Sequence, residues 1–150
     1  MTSPDALLIR PMQDGEVDAV IGLWQKSGLT RPYNNPGRDL ALARQGPASD
    51  ILVGLEDGTI RATILVGYDG HRGCVYYLSV DPDAHGSGYG RAMMDAAEAW
   101  LRERGVWKLN LMVRETNTKV HGFYEALGYE TQPRTVFTKW LEEPDTAPED

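Results

Sequence analysis

Read for hydrophobic and polar positions, the chain divides into short elements separated by strong turn signals. The apolar run Ala6 to Arg10 predicts a strand, and Pro11-Met12-Gln13-Asp14 turns the chain, with Asp14 placed to cap a helix. Val17, Val20, Ile21 and Trp24 recur at helical spacing, so a helix is expected over Gly15 to Lys26, stopped by Gly28. The prolines, asparagines and glycine of Thr30 to Gly37 read as a loop. A short second helix is expected from Arg38 or Asp39 to Arg44, ended by Gly46-Pro47.

The middle of the chain changes period. Asp50 to Leu55 is a candidate strand, Glu56-Asp57-Gly58 a hairpin turn, and Thr59 to Tyr68 the returning strand. Asp69 to Gly73 is a second turn, and Cys74 to Val80 a third strand, which gives an antiparallel meander. After Asp81-Pro82-Asp83-Ala84 and a glycine-rich stretch, Tyr89, Met93, Ala96, Ala97, Trp100 and Leu101 mark one face of a helix closed by Gly105. Trp107, Leu109, Leu111 and Val113 then alternate with polar positions as in a strand. Strand, helix, strand implies a parallel pair. Lys119 to Leu127 is a last helix, closed by Gly128, and Tyr129–Thr131 and Thr135–Leu141 are expected as two closing strands.

Composition bounds the class. The 150 residues suit one domain, and 41% apolar with 25% charged residues is the ordinary mixture of a globular fold. The net charge is −7, but Glu142, Glu143, Asp145, Glu149 and Asp150 supply five acids and no base. The expected organisation is therefore a domain over 1–141 and an acidic, disordered tail over 142–150. Neither part favours nucleic acid, which rewards basic surfaces. The single Cys74 forms no internal disulfide, and no run approaches a membrane span, so the default compartment is the cytosol.

The chemistry concentrates in His85-Gly86-Ser87-Gly88-Tyr89-Gly90-Arg91, which joins the Val75–Val80 strand to a helix. Glycines let a backbone turn tightly and let a ligand approach its N–H groups. A helix N-terminus offers unpartnered N–H groups and a positive dipole end, so the stretch suits an anion such as a phosphate. It reads otherwise as an ordinary strand-to-helix turn.

The order of elements resembles the GNAT superfamily of N-acetyltransferases over about Leu7 to Leu141. The family's cofactor loop reads Gln or Arg, two residues, Gly, one residue, Gly or Ala; here it is His85-Gly86-Ser87-Gly88-Tyr89-Gly90. Its second signature reads Asn, then Phe-Tyr-Glu-x-x-Gly-Phe; here it is Asn117, then Phe123-Tyr124-Glu125-Ala126-Leu127-Gly128-Tyr129. The segments Leu29–Pro36 and Gly67–Gly73 also resemble a bacterial YpeA-type branch. The resemblance implies an α+β (α/β three-layer) fold, a mixed sheet of 6–7 strands with an antiparallel meander and a parallel pair, and about four helices. It implies acetyl-coenzyme A (acetyl-CoA) as donor and a small-molecule or peptide amine as acceptor. Attack is direct, without metal or covalent enzyme intermediate, and a homodimer is compatible with the family.

Residue roles come from the match. Backbone N–H groups of His85, Gly86, Ser87, Gly88, Tyr89, Gly90 and Arg91 would surround the pyrophosphate; Arg91 adds a charge or is simply solvated. His85 stands where Gln or Arg is usual, so its backbone is expected to matter more than its ring. The backbone of Leu78, Ser79 and Val80 would pair with the pantetheine arm, although Ser79 equally suits a tight spot. Asn117 would bind the arm or cap its helix. Tyr124 would protonate the departing thiolate: a thiol titrates near 8.5 and a phenol near 10, so the transfer is feasible. It is otherwise a core aromatic, as Phe123 is expected to be. Trp24 is expected in the core, and His121 exposed.

The general base is not evident. The strand Cys74 to Val80 has no carboxylate, which leaves Asp69, His71, or a water held by Tyr76 or Tyr77. The acceptor pocket is expected between the Thr30–Gly37 loop and the Tyr68–Arg72 turn, with Arg31, Tyr33, Asn34, Tyr68, Asp69 and His71 as candidates. Arg31 suits a carboxylate or phosphate, or pairs with Asp39. A route through Cys74 is conceivable. The rival reading is a non-catalytic acyl-CoA sensor on the same fold.

Overall fold

The computed structural model describes residues 7–144, so Ala6 and residues 145–150 of the acidic tail lie outside the described residues. Among the described residues, the strands and α-helices in chain order are β1 (Leu8–Pro11), α1 (Val17–Lys26), α2 (Pro36–Ala43), β2 (Ser49–Glu56), β3 (Thr59–Tyr68), β4 (Gly73–Val80), α3 (Tyr89–Glu103), β5 (Leu109–Asn110) and α4 (Thr118–Ala126). The five strands form one sheet in sequence order. β1 to β4 are antiparallel neighbours and β5 runs parallel to β4.

The alternation of the strands builds two cores. Ile51, Val53 and Leu55 join Val20, Trp24 and Leu40 on the α1–α2 side. Leu52, Ala62, Ile64 and Val66 join Met93, Met94, Ala97 and Leu101 of α3 on the other. The sheet is thus the middle of three layers, as the family resemblance implied. The β2–β3 turn is of the expected kind, with Asp57 and Gly58 both at positive φ (50° and 80°).

The described residues form four α-helices, but the sheet has five strands and not the 6–7 expected. Tyr129–Thr131 and Thr135–Leu141 pair with no described strand, and residues 130–143 are exposed throughout. Alternation stabilises a strand only when a neighbour takes its hydrogen bonds and a core takes one face. Here the edge on offer is the two-residue β5, shorter than the expected Trp107–Val113, and Trp107 is 86% exposed. Other boundaries shift modestly. A 3-10 turn, Asp14–Glu16, precedes α1, and Gln13 rather than Asp14 caps it. α2 starts at Pro36, where Asn35 accepts from Arg38 N at 3.1 Å.

Candidate active site

The site grows out of one irregularity in β4. Between the pairs Thr63↔Ser79 and Leu65↔Tyr76, the single residue Ile64 faces both Tyr77 and Leu78. Tyr77 sits at φ +51°, a conformation that costs a residue with a side chain about 1–3 kcal/mol and persists only where its surroundings enforce it. They do so through stacking and hydrogen bonds. The Tyr77 ring stacks on buried Trp24 at 3.9 Å; Trp24 Nε1 donates to Thr63 Oγ1 at 2.9 Å, and that hydroxyl donates to the Tyr77 carbonyl at 3.2 Å. The bulge sends Tyr77 to the α1–α2 core and Leu78 to the α3 core.

On its other edge β4 is nearly unpaired. The ladder with β5 covers only Gly73↔Leu109 and Cys74↔Asn110. From Val75 onward this leaves the β5-facing edge without a partner strand, among the described residues, as far as the glycine-rich loop.

That loop leaves β4 through Asp81, which is 5% exposed and held by Lys26 Nζ at 2.9 Å and Arg61 Nη1 at 3.1 Å. Lys26, the Asp83 backbone N–H and Arg61 hold its carboxyl down to about 2. Gly86 and Gly88 follow at φ +85° and +84°, the left-handed region that favours glycine, and a Cβ on Gly86 would meet no atom within 4 Å. Gly88 is the N-cap of α3. Among the described residues, nothing accepts from the N–H groups of Gly86, Ser87, Gly88, Gly90 or Arg91. Unpaired donors at the start of a fifteen-residue helix fit a pyrophosphate. The neighbouring edge of β4 fits an extended amide chain.

The structure sorts the remaining candidates. The Ser79 hydroxyl is buried and donates to Ser27 Oγ at 2.7 Å, so only its backbone belongs to the β4 edge. Tyr89 is 1% exposed and its hydroxyl donates to Glu56. Gly90 supplies closeness: a Cβ there would meet the Phe123 ring at 3.2 Å, so it lets α4 pack on α3. The His85 ring sits 3.2 Å from the Val80 carbonyl, and Arg91 is exposed without an ion-pair partner among the described residues. Asn117 is the N-cap of α4, but its side chain makes no capping hydrogen bond. His121 is half-buried rather than exposed, with Nε2 3.0 Å from the Arg114 carbonyl.

Tyr124 packs edge-on between Phe123 (5.0 Å) and Tyr129 (5.8 Å) against the α3 core. Burial raises its phenol above the ordinary value, so it keeps its proton at neutral pH. The Cys74 thiol is likewise pushed up by burial, the wrong direction for a nucleophile.

The expected acceptor residues are not brought together. Arg31 Nη1 donates to its own loop, to the carbonyls of Gly28 (3.0 Å) and Thr30 (3.1 Å), and does not pair with Asp39. Asp69 accepts from the N–H groups of Arg72 (2.8 Å) and His71 (2.9 Å), bonds that hold its carboxyl below the ordinary value and tie it to its own turn. Tyr68 packs near Trp100 at 6.3 Å, and His71 is exposed. Tyr68 ends β3 and His71 lies in the β3–β4 turn, both at the end of β4 away from the glycine-rich loop. Tyr33 and Asn34 instead line a cleft of about 530 Å³ with Asp39 and Trp140. Sequence reasoning missed Asp39 as a site candidate and weighed it only as a partner for Arg31. A groove of about 600 Å³ between the C-terminal ends of α3 and α4 contains none of the expected site residues.

A mixed sheet whose fourth strand runs through a glycine-rich loop into its longest helix has the architecture of an acetyl-transferring enzyme. The chain belongs to the acetyltransferase (GNAT) family, whose profile matches residues 17–129. It is 43% identical over 133 residues to a protein named acetyltransferase from Yersinia pestis (strain Pestoides F), covering 89% of this chain and 94% of that one. Among solved structures it is similar to AAC(6')-Iy in complex with the bisubstrate analog CoA-S-monomethyl-acetylneamine. The TM-score is 0.76 at 17% identity, over 89% of this chain and 97% of that one. It is also similar to a predicted acetyltransferase with acetyl-CoA from Clostridium acetobutylicum. There the TM-score is 0.72 at 14% identity, over 89% and 96% of the two chains. These two likenesses carry the fold. The names of these relatives do not extend to the YpeA-type branch.

Proposed function

We propose that this acetyltransferase moves an acetyl group from acetyl-CoA to a primary amine by direct attack. The observation that carries the reading is the alignment of two unsatisfied backbone surfaces. The N–H groups at the start of α3 suit the pyrophosphate, and the edge of β4 beyond Cys74 suits the amide-bearing arm. When bound, the cofactor supplies an acetyl thioester. The N–H groups of Gly86, Ser87, Gly88, Gly90 and Arg91 hold the phosphates, aided by the positive end of the α3 dipole, which contributes up to about 2 kcal/mol for a partly buried anion. The backbone of Leu78, Ser79 and Val80 orients the arm, with Asn117 approaching from α4.

Tyr124 Oη donates its proton to the departing sulfur. Burial keeps the phenol protonated across neutral pH and at the same time makes it a weaker acid than a free phenol. The bisubstrate analog in the AAC(6')-Iy complex joins CoA to an acetylneamine part, and the Clostridium protein is in complex with acetyl-CoA, which supports the donor proposed. Replacing Tyr124 by Phe keeps the ring packing and removes the proton, so thiol release should fall by about 10²-fold or more while acetyl-CoA affinity is retained. Unchanged turnover would remove Tyr124 from the acid role. Binding of acetyl-CoA without turnover on any amine would favour a sensor.

A further inference from the structure

The α1–α2 face of the sheet carries a carboxylate in an unusual setting. The Tyr77 ring reaches this face because of the β4 bulge, and its hydroxyl donates to Asp39 Oδ2 at 2.7 Å. Asp39 Oδ1 accepts nothing from a described residue. Another carboxylate lining the same cleft has a cation of its own: Glu142 pairs with Arg38 at 3.1 Å. Asp39 is half-buried and held by a phenol instead, which fixes its position without neutralising its charge. It opens on the cleft lined by Tyr33, Asn34 and Trp140. The Tyr33 hydroxyl accepts from Arg114 Nη2 at 2.9 Å, and Arg114 leads directly to Asn117 and α4. Three elements therefore meet here: α2 with its loop, the bulge one residue from Leu78, and the segment before α4.

We propose that Asp39 receives the acceptor amine: Oδ1 binds the incoming ammonium group, with Tyr77 as its positioning residue. This rests on the acetyl-transfer reading. Asp39 Oδ1 takes one proton from the ammonium group, which frees the lone pair that forms the N–C bond, and passes it to solvent. The electron pair of the broken C–S bond stays on sulfur, which Tyr124 protonates; the second proton leaves the nitrogen as the tetrahedral intermediate collapses and, carried by water, restores Tyr124, so protons and electrons balance. The assignment supplies the carboxylate that β4 lacks, and it specifies an acceptor that arrives as a cation on the face opposite α3.

The test measures thiol release from acetyl-CoA with spermidine, glycinamide or Nα-acetyllysine as acceptor, and acetyl-CoA affinity by calorimetry. Wild type, Asp39→Asn, Asp39→Glu and Tyr77→Phe are compared as full chains. Asp39→Asn should lower kcat/KM for the amine by about 10²-fold or more, with acetyl-CoA affinity unchanged. Asp39→Glu should recover part of the loss, and Tyr77→Phe should lose less than Asp39→Asn. An Asp39→Asn enzyme within twofold of wild type, or one that loses amine and acetyl-CoA affinity together, overturns the proposal. If Asp39→Asn does not fold, Asp39→Glu and Tyr77→Phe decide in the same way. A wild type that binds acetyl-CoA but acetylates none of the amines overturns transfer to a free primary amine, and the role of Asp39 with it.

Discussion

At the scale of single residues, the glycine-rich loop was legible in the sequence but the division of labour inside it was not. The spacing of Gly86, Gly88 and Gly90 marks a tight, approachable loop. Only the structure separates the two glycines that need left-handed φ from the one that makes room for Phe123. In the same way Ser79 and Tyr89 were expected at the cofactor while their buried side chains bond to Ser27 and Glu56. A one-dimensional pattern records which residues are neighbours and leaves open which way each side chain faces. Gly90 makes the point measurable. Gly90→Leu should overpack the α3–α4 contact and cost about 1–3 kcal/mol, read as a lower Tm. Because Phe123 precedes Tyr124, the same variant should also lose thiol release.

At the scale of elements, β4 was read correctly as the third meander strand, but its bulge left no signal in a sequence that contains no glycine there. Tyr77 reaches positive φ because tertiary contacts override local preference: Trp24 below, Thr63 beside it and Asp39 at the tip. The general base went unseen for the same reason, since Asp39 lies 38 residues from the tyrosine that holds it. The junction of β4 with the glycine-rich loop is an ion-pair node, and its pH dependence has a definite sign. Lys26 first, then the Asp83 N–H and Arg61, depress Asp81 to about 2, below its ordinary range. A carboxylate depressed on folding stabilises the native state above the unfolded value, about 3.9, and loses that contribution as pH falls towards 2. Thermal melts between pH 6 and about 2.5 should therefore show an acid-side loss that Asp81→Asn reduces. Asp81→Asn should also lower Tm at pH 7. A melt profile identical in both proteins would remove Asp81 from this role.

At the scale of the whole molecule, the parallel β4–β5 pair follows from the strand-helix-strand pattern, and the three-layer order from the family resemblance. The closing strands do not, because alternation in Thr135–Leu141 states what a strand needs without supplying a neighbour. The outcome is an arm that exposes Val136 (62%), Phe137 (94%) and Leu141 (92%), a chain of large apolar side chains in water. Such patches drive association. In sedimentation velocity the full chain should associate at concentrations where a chain ending at Glu130 stays monomeric, and the shortened chain should keep its fold. Loss of the fold on truncation would mean that the arm is part of the core.

The claim on which all three scales converge is that the start of α3 and the edge of β4 hold acetyl-CoA through backbone groups. Calorimetric titration of acetyl-CoA into wild type, His85→Ala and Gly88→Val tests it most directly, with circular dichroism to confirm that each is folded. The account predicts binding to wild type, nearly equal binding to His85→Ala, and no measurable binding to folded Gly88→Val. Failure of the wild type to bind, or wild-type affinity in Gly88→Val, would contradict it.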